Sequence, residues 1–431
     1  MKRWISQTLL LVTFIGVSYS SLPAQSLPSL PDPLTLEQAL ALAEVSLSPD
    51  LELLEAEREL AEADALELQS LFDPTLYFTS RARWVIPGPR TRNPSKQDHS
   101  VGLYASKRLY DFGRTAAALN AAQMEIKANK WLFINARRQR RLKVMKLFFD
   151  VLLADLAYAR DNEAMAIAYV RLTRVRDRHE LGQVSDLVLF EHESRYQEAR
   201  RQRYASEALQ RITRSRLALA LNRPGQLPSN LVEPQLVANH RALPDLDSLV
   251  AKALQFNPYI LALKEKIRAA EERVRSARLR VRPVVYLEAE ATYFKRSLGF
   301  RDRARAGVRV EFPLYGGRTF DALVAKREAE VQRLKAELEE KKLELQQALL
   351  ETWLKLNTLY IQQQEMESLE EYRDLYLDRS RALYELEVRA NLGNAMVEYS
   401  VARYRIAETE YNIVLAWEEL QALTGEPLED E

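Results

Sequence analysis

The chain has 431 residues, with 62 basic and 61 acidic side chains and a formal net charge of +1. This near balance excludes a general electrostatic attraction to nucleic acid or to a strongly acidic surface. The absence of cysteine excludes disulfides, thiolate metal sites, a cysteine nucleophile and an N-terminal lipid carried on Cys. With 29% charged residues and only 12 glycines, the sequence is neither disordered nor of low complexity.

The N-terminus carries the first specific signal, a basic start followed by a short apolar run. Lys2 and Arg3 precede an apolar stretch from Ile5 to Val17, and a candidate cleavage site near Leu22-Pro23-Ala24 follows it. This pattern is typical of a secretory signal peptide, which we assign to residues 1–24. A membrane-anchoring helix is the alternative, although the run is short for crossing a bilayer. The pattern predicts that the chain is exported.

Two halves of the remaining sequence repeat the same order of features. RLYDFGRT at 108–115 and PLYGGRT at 313–319 lie about half a chain apart. A helical pattern with a central proline precedes each motif, and a long helical pattern, a Leu-Gly pair and a second helix follow it. The boundaries that follow are a first repeat at 34–223, a Pro- and Asn-rich linker at 224–243, a second repeat at 244–427 and a tail at 428–431.

Two very long helices dominate the predicted elements. From Thr115 to about Glu180 and from Arg318 to about Asn391, the sequence contains no proline or glycine, and helix-forming residues prevail. At about 1.5 Å rise per residue, each helix would run roughly 100 Å, which predicts an elongated molecule. Apolar residues recur at three- and four-residue spacing, as in a helix packed along a partner. A plain coiled-coil rod would show the same pattern.

Four predicted strands with alternating apolar and polar side chains lie between the helices. They span 75–84, 101–110, 284–294 and 304–314, two in each repeat. Strands of about ten residues, apolar on one face and charged on the other, are what an outer-membrane β-barrel requires. A soluble antiparallel sheet with one wet face has the same pattern. Four strands cannot close a barrel with room inside, so a barrel would be shared, and three copies would supply about twelve strands.

The order of these features resembles that of the TolC-like outer-membrane efflux proteins. The motifs that carry the resemblance are YDFGR at 110–114, LYGGR at 314–318, LGQVSDL at 181–187 and ALTG at 422–425. It covers about 34–427, and the duplication and spacing are more specific than any single motif. The implied fold class is mainly α with a β-barrel portion. Long helical hairpins would form a periplasmic tunnel, and four strands per chain would contribute to a trimeric barrel.

The resemblance also implies a function and partners. It implies a homotrimeric channel in the lipid of the outer membrane that extends into the periplasm and is not an enzyme. A periplasmic adaptor (membrane fusion) protein and an inner-membrane efflux pump or type I secretion transporter are the expected partners. No cofactor, metal or nucleic acid is expected, and the scattered histidines lack metal-site spacing. The alternative is an exported periplasmic coiled-coil structural or adaptor protein, which the two equivalent hairpins disfavour.

The ends of the helical hairpins are the first candidate site. A glycine there permits the left-handed turn that ends a helix, and the resemblance implies adaptor contacts. Turn formation alone would explain the same residues, which are Leu181, Gly182, Val184, Ser185, Leu392, Gly393 and Asn394. Asp186 and Glu398 are acidic entrance candidates by resemblance, although Val401 stands where the family sometimes has a further acid. Asp186 is equally suited to capping the returning helix.

The charged strand face is the second candidate site. By alternation, the barrel lumen is predicted to carry Arg81, Arg83, Glu288, Glu290, Arg305, Arg309 and Glu311. Their mixed signs indicate a polar conduit without strong ion selectivity, or salt bridges that brace the strands. Trp84 and Tyr293 suit an aromatic girdle at a membrane interface, or ordinary packing.

Overall fold

The computed structural model of the protein describes residues 30–45, 48–88, 91, 93–236, 241–296, 302–386 and 391–425. The assigned signal peptide and the tail lie outside these residues. The described part of the chain is mainly helical and contains one four-stranded antiparallel sheet. The predicted fold class, long helices joined to a small sheet, is confirmed. Among the described helices, none combines the length and apolar character that crossing a bilayer requires.

The elements form two equivalent series. The first consists of α1 (Leu36–Val45), α2 (Pro49–Ser70), β1 (Thr75–Arg81), β2 (Ser100–Tyr110), α3 (Arg114–Glu180) and α4 (Asp186–Ala220). The second consists of α5 (Leu246–Phe256), α6 (Pro258–Arg278), β3 (Val284–Phe294), β4 (Ala304–Glu311), α7 (Thr319–Glu385) and α8 (Leu392–Thr424). A short 3₁₀ turn, Leu279–Val281, links α6 to β3. The series correspond element by element, as the predicted repeat requires.

Proline divides each leading helical pattern into two helices. Pro49 and Pro258 are the first residues of α2 and α6, a position where an N–H would have no helical partner. The side-chain oxygen of Asn257 caps α6 by accepting from the backbone N–H groups of Tyr259 and Ile260, at 3.0 and 3.2 Å. Each leading pattern therefore forms two separate helices, and the second of them starts at the proline.

The helices lie side by side in one layer. The long helices α3 and α7 each contain 67 residues and run through the whole layer. Next to the sheet the neighbours follow the order α2, α3, α6, α7, and farther from it the order α4, α3, α8, α7. α3 thus lies between α2 and α6 next to the sheet and between α4 and α8 farther from it. One edge of the layer is α7, and the other is α2 and then α4.

Two apolar clusters hold this layer together. One lies among α5, α6, α7 and α8 and includes the fully buried Leu349, Leu356 and Leu420. The other joins α1, α3, α4 and α8, where the ring of Phe149 stacks on that of Tyr411 with centroids 4.5 Å apart. Because α8 contributes to both clusters, it ties the two repeats together.

The sheet also joins the repeats. Its order is β1-β2-β3-β4, with every neighbouring pair antiparallel, so each repeat supplies one hairpin and β2 pairs with β3. β1 ends at Arg81 and β4 at Glu311, each earlier than the sequence predicted. Beyond Arg81, pairing continues as a single bridge between Trp84 and Gln97. Pro313 follows β4 closely and has no N–H to donate to a ladder.

Gly425 is expected to be sensitive to any side chain. It ends α8 in the left-handed conformation, at φ 85°, and an added Cβ would lie 2.2 Å from the carbonyl oxygen of Phe256. That atom belongs to the backbone where α5 meets α6 and cannot rotate away. We expect Gly425→Ala to lower the free energy of unfolding by about 2–4 kcal/mol, from conformational strain plus collision.

Gly225 provides the matched control for this substitution. It has the same φ of 85°, but an added Cβ there would meet no atom within 4 Å. Gly225→Ala therefore tests strain alone and is expected to cost about 1–2 kcal/mol. Denaturant unfolding followed by circular dichroism measures both, and equal losses at the two positions would contradict the collision.

Candidate functional site

One face of the sheet is polar, and its charges pair across strands. Arg305 of β4 lies opposite Glu290 of β3, with a nitrogen–oxygen distance of 2.5 Å. Arg309 contacts Glu288 at 2.7 Å, and the hydroxyl of Tyr104 on β2 donates to the same carboxylate at 2.6 Å. These predicted lumen residues therefore share one face, together with Glu311, which also pairs with Arg309. Such cross-strand pairs brace the strands and leave little unpaired charge.

The two arginines predicted beside β1 differ in placement. Arg81 is the last residue of β1 and lies opposite Ser100 on the polar face. Arg83 lies beyond the strand and forms an ion pair of 2.7 Å with the buried carboxylate of Asp98. Alternation placed Arg83 on the strand face, whereas the structure places it in the connection between β1 and β2. The alternation could not show where the strand ends.

The opposite face of the sheet is apolar and exposed. Leu76 and Phe78 on β1 and Val308 and Val310 on β4 are each more than half exposed. β3 contributes Leu287, also exposed, to the same face. An uncovered apolar surface of this extent requires an apolar environment or a partner. In the described part of the chain, β1 and β4 each have one strand neighbour, so the outer backbone edge of each also lacks a partner.

Aromatic side chains lie at both ends of the sheet. At the end away from the helices, Trp84 and Tyr293 are 70% and 69% exposed, which excludes packing in a core within this chain. At the end next to the helices, Tyr110 and Phe112 contact each other edge to face at 4.8 Å and remain partly exposed. Two aromatic bands that flank an apolar face are typical of strands that span a membrane.

The first helical hairpin end contains a left-handed glycine. α3 ends at Glu180, and Gly182 has φ 69°, as predicted for a turn that ends a helix. Its N–H donates to the carbonyl oxygen of His179 at 2.8 Å. The side chain of Leu181 is exposed, that of Val184 is half-buried, and Ser185 is the N-cap of α4.

The second hairpin end differs from the first. Leu392, Gly393 and Asn394 lie in the first turn of α8, and residues 387–390 are outside the described part of the chain. Gly393 is helical, so the predicted left-handed turn at this glycine is wrong. An added Cβ there would lie 2.9 Å from Cδ1 of Ile167, so glycine permits the close approach of α8 to α3. Arg171 of α3 donates to Asn394 across the same contact.

The two acidic entrance candidates lie on different hairpins, and each has a basic partner. Asp186 is the first residue of α4, and its Oδ1 lies 2.6 Å from Nε2 of His179. Its side chain thus contacts a side chain at the end of α3 rather than a backbone N–H of α4. Glu398 of α8 pairs with Arg373 of α7. Within this chain the two acids do not form one cluster, and no described group of three His, Asp or Glu is placed to hold a metal ion.

Comparison with known proteins agrees with this geometry. Residues 249–426 match the family model described as outer membrane efflux protein. The fold is similar to that of a membrane protein from Pseudomonas aeruginosa, with a TM-score of 0.73 and 17% identity over 91% of this chain and 90% of that chain. It is also similar to the CmeC outer membrane channel of Campylobacter jejuni, with a TM-score of 0.71 and 14% identity over 90% of this chain and 85% of that one.

A third similar structure is the outer membrane protein VceC of Vibrio cholerae, with a TM-score of 0.71 and 16% identity over 91% of this chain and 97% of that one. No curated protein sequence matches the chain. The fold is that of outer-membrane channel structures built from helical hairpins and a small sheet. The match to the outer membrane efflux protein family covers the second repeat of the chain.

Several predictions from the sequence are thereby confirmed. The family recognition is confirmed, and so is the location in the outer membrane with extension into the periplasm. The matching family and structures are passive channels, which confirms the assignment of a function other than catalysis. The signal peptide and the roles of individual site residues stay predictions.

Proposed function

We propose that three copies of the chain form a closed channel through which substrates leave the periplasm across the outer membrane. The observation that carries the proposal is the sheet, with an exposed apolar face, a polar face of paired charges and two strands with free edges. If β4 of each copy pairs with β1 of the next, about twelve strands close into a barrel. The apolar face then meets lipid, and the charges line the lumen.

The helical layer supports the same assembly. Along the α7 edge, exposed apolar residues recur at intervals that suit a helix packed along a partner, and they are Leu343, Leu350, Leu354, Ile361, Tyr372 and Leu375. At the other edge, α4 exposes Tyr204 and Ile212, and α2 exposes Leu66. A neighbouring copy would cover one edge with the other. The same operation that closes the sheet would thus close the helices into a tunnel.

The exposed end of the first hairpin supports a partner in the periplasm. Leu181, Leu187 and Phe190 are all strongly exposed there, close to the turn at Gly182. A cluster of exposed apolar side chains at the tip of a long rod is typical of an interaction site. The proposed partner is a periplasmic adaptor protein that connects the channel to an inner-membrane efflux pump. A type I secretion transporter would use the same adaptor route, and in both cases the partners supply the energy.

Current through a planar lipid bilayer tests this function directly. The purified protein is expected to behave as a trimer in detergent and to insert as small, discrete conductance steps, because a closed wall leaves one narrow lumen. The mass of the detergent complex is measured by light scattering. A water-soluble monomer or dimer without conductance would contradict the channel and favour a periplasmic rod.

Reversing the charge of Asp186 is expected to alter the channel entrance without unfolding the protein. The carboxylate is 79% exposed, and its pairing with His179 is a surface contact worth less than about 1 kcal/mol. Asp186→Arg should therefore change the conductance or adaptor binding while the unfolding midpoint stays nearly constant. His179→Gln is the matched control, since it removes the pair and keeps the acid. A collapse in the yield of folded Asp186→Arg protein would show instead that the acid supports the start of α4.

A further inference from the structure

A groove of about 880 Å³ lies where the helices meet the sheet. Its walls come from α2, α3, α6 and α7, and Arg108 of β2 closes the end next to the sheet. Arg108 lies opposite Tyr286, on the strand face that carries Glu288 and Glu290. The groove therefore opens on the same side of the molecule as the polar face of the sheet. A volume of this size accommodates a drug-sized organic molecule.

Arginines outnumber carboxylates at the sheet end of this groove. Arg108 shares its nearest carboxylate, Asp111, with the hydroxyl and N–H of Thr115. Arg114 and Arg280 form no ion pair with any carboxylate in the described part of the chain. Burial lowers the pKa of Arg114, and the charges of Arg280 and Arg108 lower it further, each more strongly than Asp111 raises it. Like charges are thus held close together without full compensation.

The carboxylates of the groove lie mainly elsewhere. Glu125 pairs with Arg273, and Glu57 and Asp64 line the part of α2 farther from the sheet. Asn129 of α3 donates to the carbonyl oxygen of Glu57. Glu57 therefore lies beside a part of α3 that is more than ten residues beyond Arg114. Glu67 is the acid of α2 closest in sequence to the sheet among the lining residues. With Arg108, Arg114 and Arg280 against Asp111 and Glu67, the end of the groove that adjoins the sheet keeps a net positive charge.

Apolar side chains line the groove beside the arginines. Leu60 and Leu68 of α2, Leu71 just after it and Leu323 of α7 line the groove, together with alanines of α3 and α6. A ligand that fits both features has an anionic head and an apolar body. The paired charges on the sheet offer no comparable site, because Glu288 and Glu290 neutralise Arg309 and Arg305 there.

We propose that this groove binds amphiphilic organic anions, with Arg114 and Arg280 holding a carboxylate, sulfonate or phosphate head and the leucines holding the apolar body. The inference rests on the proposed channel function, since assembly would place three such grooves around one conduit below the barrel. Amphiphilic organic anions would then be the cargo that the channel binds during export. A guanidinium binds such heads through charge-assisted hydrogen bonds, which are stronger than neutral ones.

Binding of naphthalene-1-sulfonate to the purified protein in detergent, measured by equilibrium dialysis, tests the groove without requiring conduction. The double variant R114Q/R280Q is expected to bind the probe roughly tenfold more weakly, because two charged hydrogen-bond donors are lost. R278Q is the matched control, since Arg278 pairs with Glu328 and lines a different cleft between α6 and α7. It should leave the affinity unchanged. The neutral analogue 1-naphthol should bind with an affinity that none of the variants alters.

In the dialysis experiment, two results would overturn the inference: equal affinity of R114Q/R280Q and the parent protein, or an equal loss in R278Q. R280Q alone is measured as well, because Arg280 is exposed and its replacement is expected to leave the fold intact; it should weaken binding at least threefold. In planar bilayers, the sulfonate should block the parent channel at lower concentration than the double variant. If both channels conduct and are blocked at the same sulfonate concentration, the proposed binding in the groove is wrong and the proposed channel function is unaffected. Absence of conductance with the dialysis result intact would overturn the function alone.

Discussion

Replacing Ile361 by glutamate is expected to convert the proposed trimer into monomers. The side chain lies in the middle of the exposed apolar edge of α7 and is 67% exposed in the single chain, so the monomer should fold with the substitution. In the assembly, the neighbouring copy would bury the carboxylate without a partner, at a cost of about 3 kcal/mol or more per interface. That corresponds to roughly 100-fold weaker association at each contact.

Light scattering of the purified variant in detergent measures this effect as a fall in mass. Ile361→Leu, of equal size and apolar, is the control and should remain trimeric. Circular dichroism should show the same helix content in both proteins. A glutamate variant that stays as stably trimeric as the parent would contradict the proposed use of the α7 edge.

The second large effect is expected at Phe149. Its side chain is 1% exposed and stacks on Tyr411 with the ring planes 3° apart, in the cluster that joins α1, α3, α4 and α8. Phe149→Ala should lower the free energy of unfolding by about 3–5 kcal/mol, since the lost contacts leave a cavity that a layer of long helices cannot easily collapse. Urea unfolding measures the change.

Tyr411→Phe separates packing from hydrogen bonding in the same cluster. It keeps the stacked ring and removes the hydroxyl that contacts Oε1 of Glu233 at 3.1 Å. We expect a loss of about 1 kcal/mol. If Phe149→Ala cost no more than Tyr411→Phe, the stacked pair would not be a main support of this cluster.

The long helices and the strand pairs could be predicted because local signals determine them. From Thr115 to Glu180, the absence of proline and glycine together with apolar periodicity left no competing local structure. The alternation in 284–294 predicted β3 to the residue, because nearly every side chain there suits one face of a sheet. Pro49 and Pro258 predicted an interruption of each helical pattern but not the start of a new helix, since a proline permits either a kink or a break.

Tertiary contacts decided the features that could not be predicted. The Leu-Gly pairs at 181–182 and 392–393 are identical in sequence, yet only Gly182 has a left-handed φ. Gly393 is instead placed by its contact with Ile167, more than two hundred residues earlier in the chain. The groove was missed for the same reason. Arg108, Arg114 and Arg280 come from different elements, and no periodicity within one element brings them together.

The absence of cysteine permits a direct test of the proposed closure between copies. Phe78→Cys on the free edge strand β1 is combined, in separate proteins, with a cysteine at Ala304, Ala306, Val308 or Val310 on the other edge strand, β4. All five positions lie on the apolar face, and a disulfide requires Cα atoms within about 7 Å. After oxidation, at least one pair is expected to yield dimers and trimers, and no larger species, on a denaturing gel. Failure of every pair to link two chains, or a ladder that continues beyond three, would contradict a barrel shared by three copies.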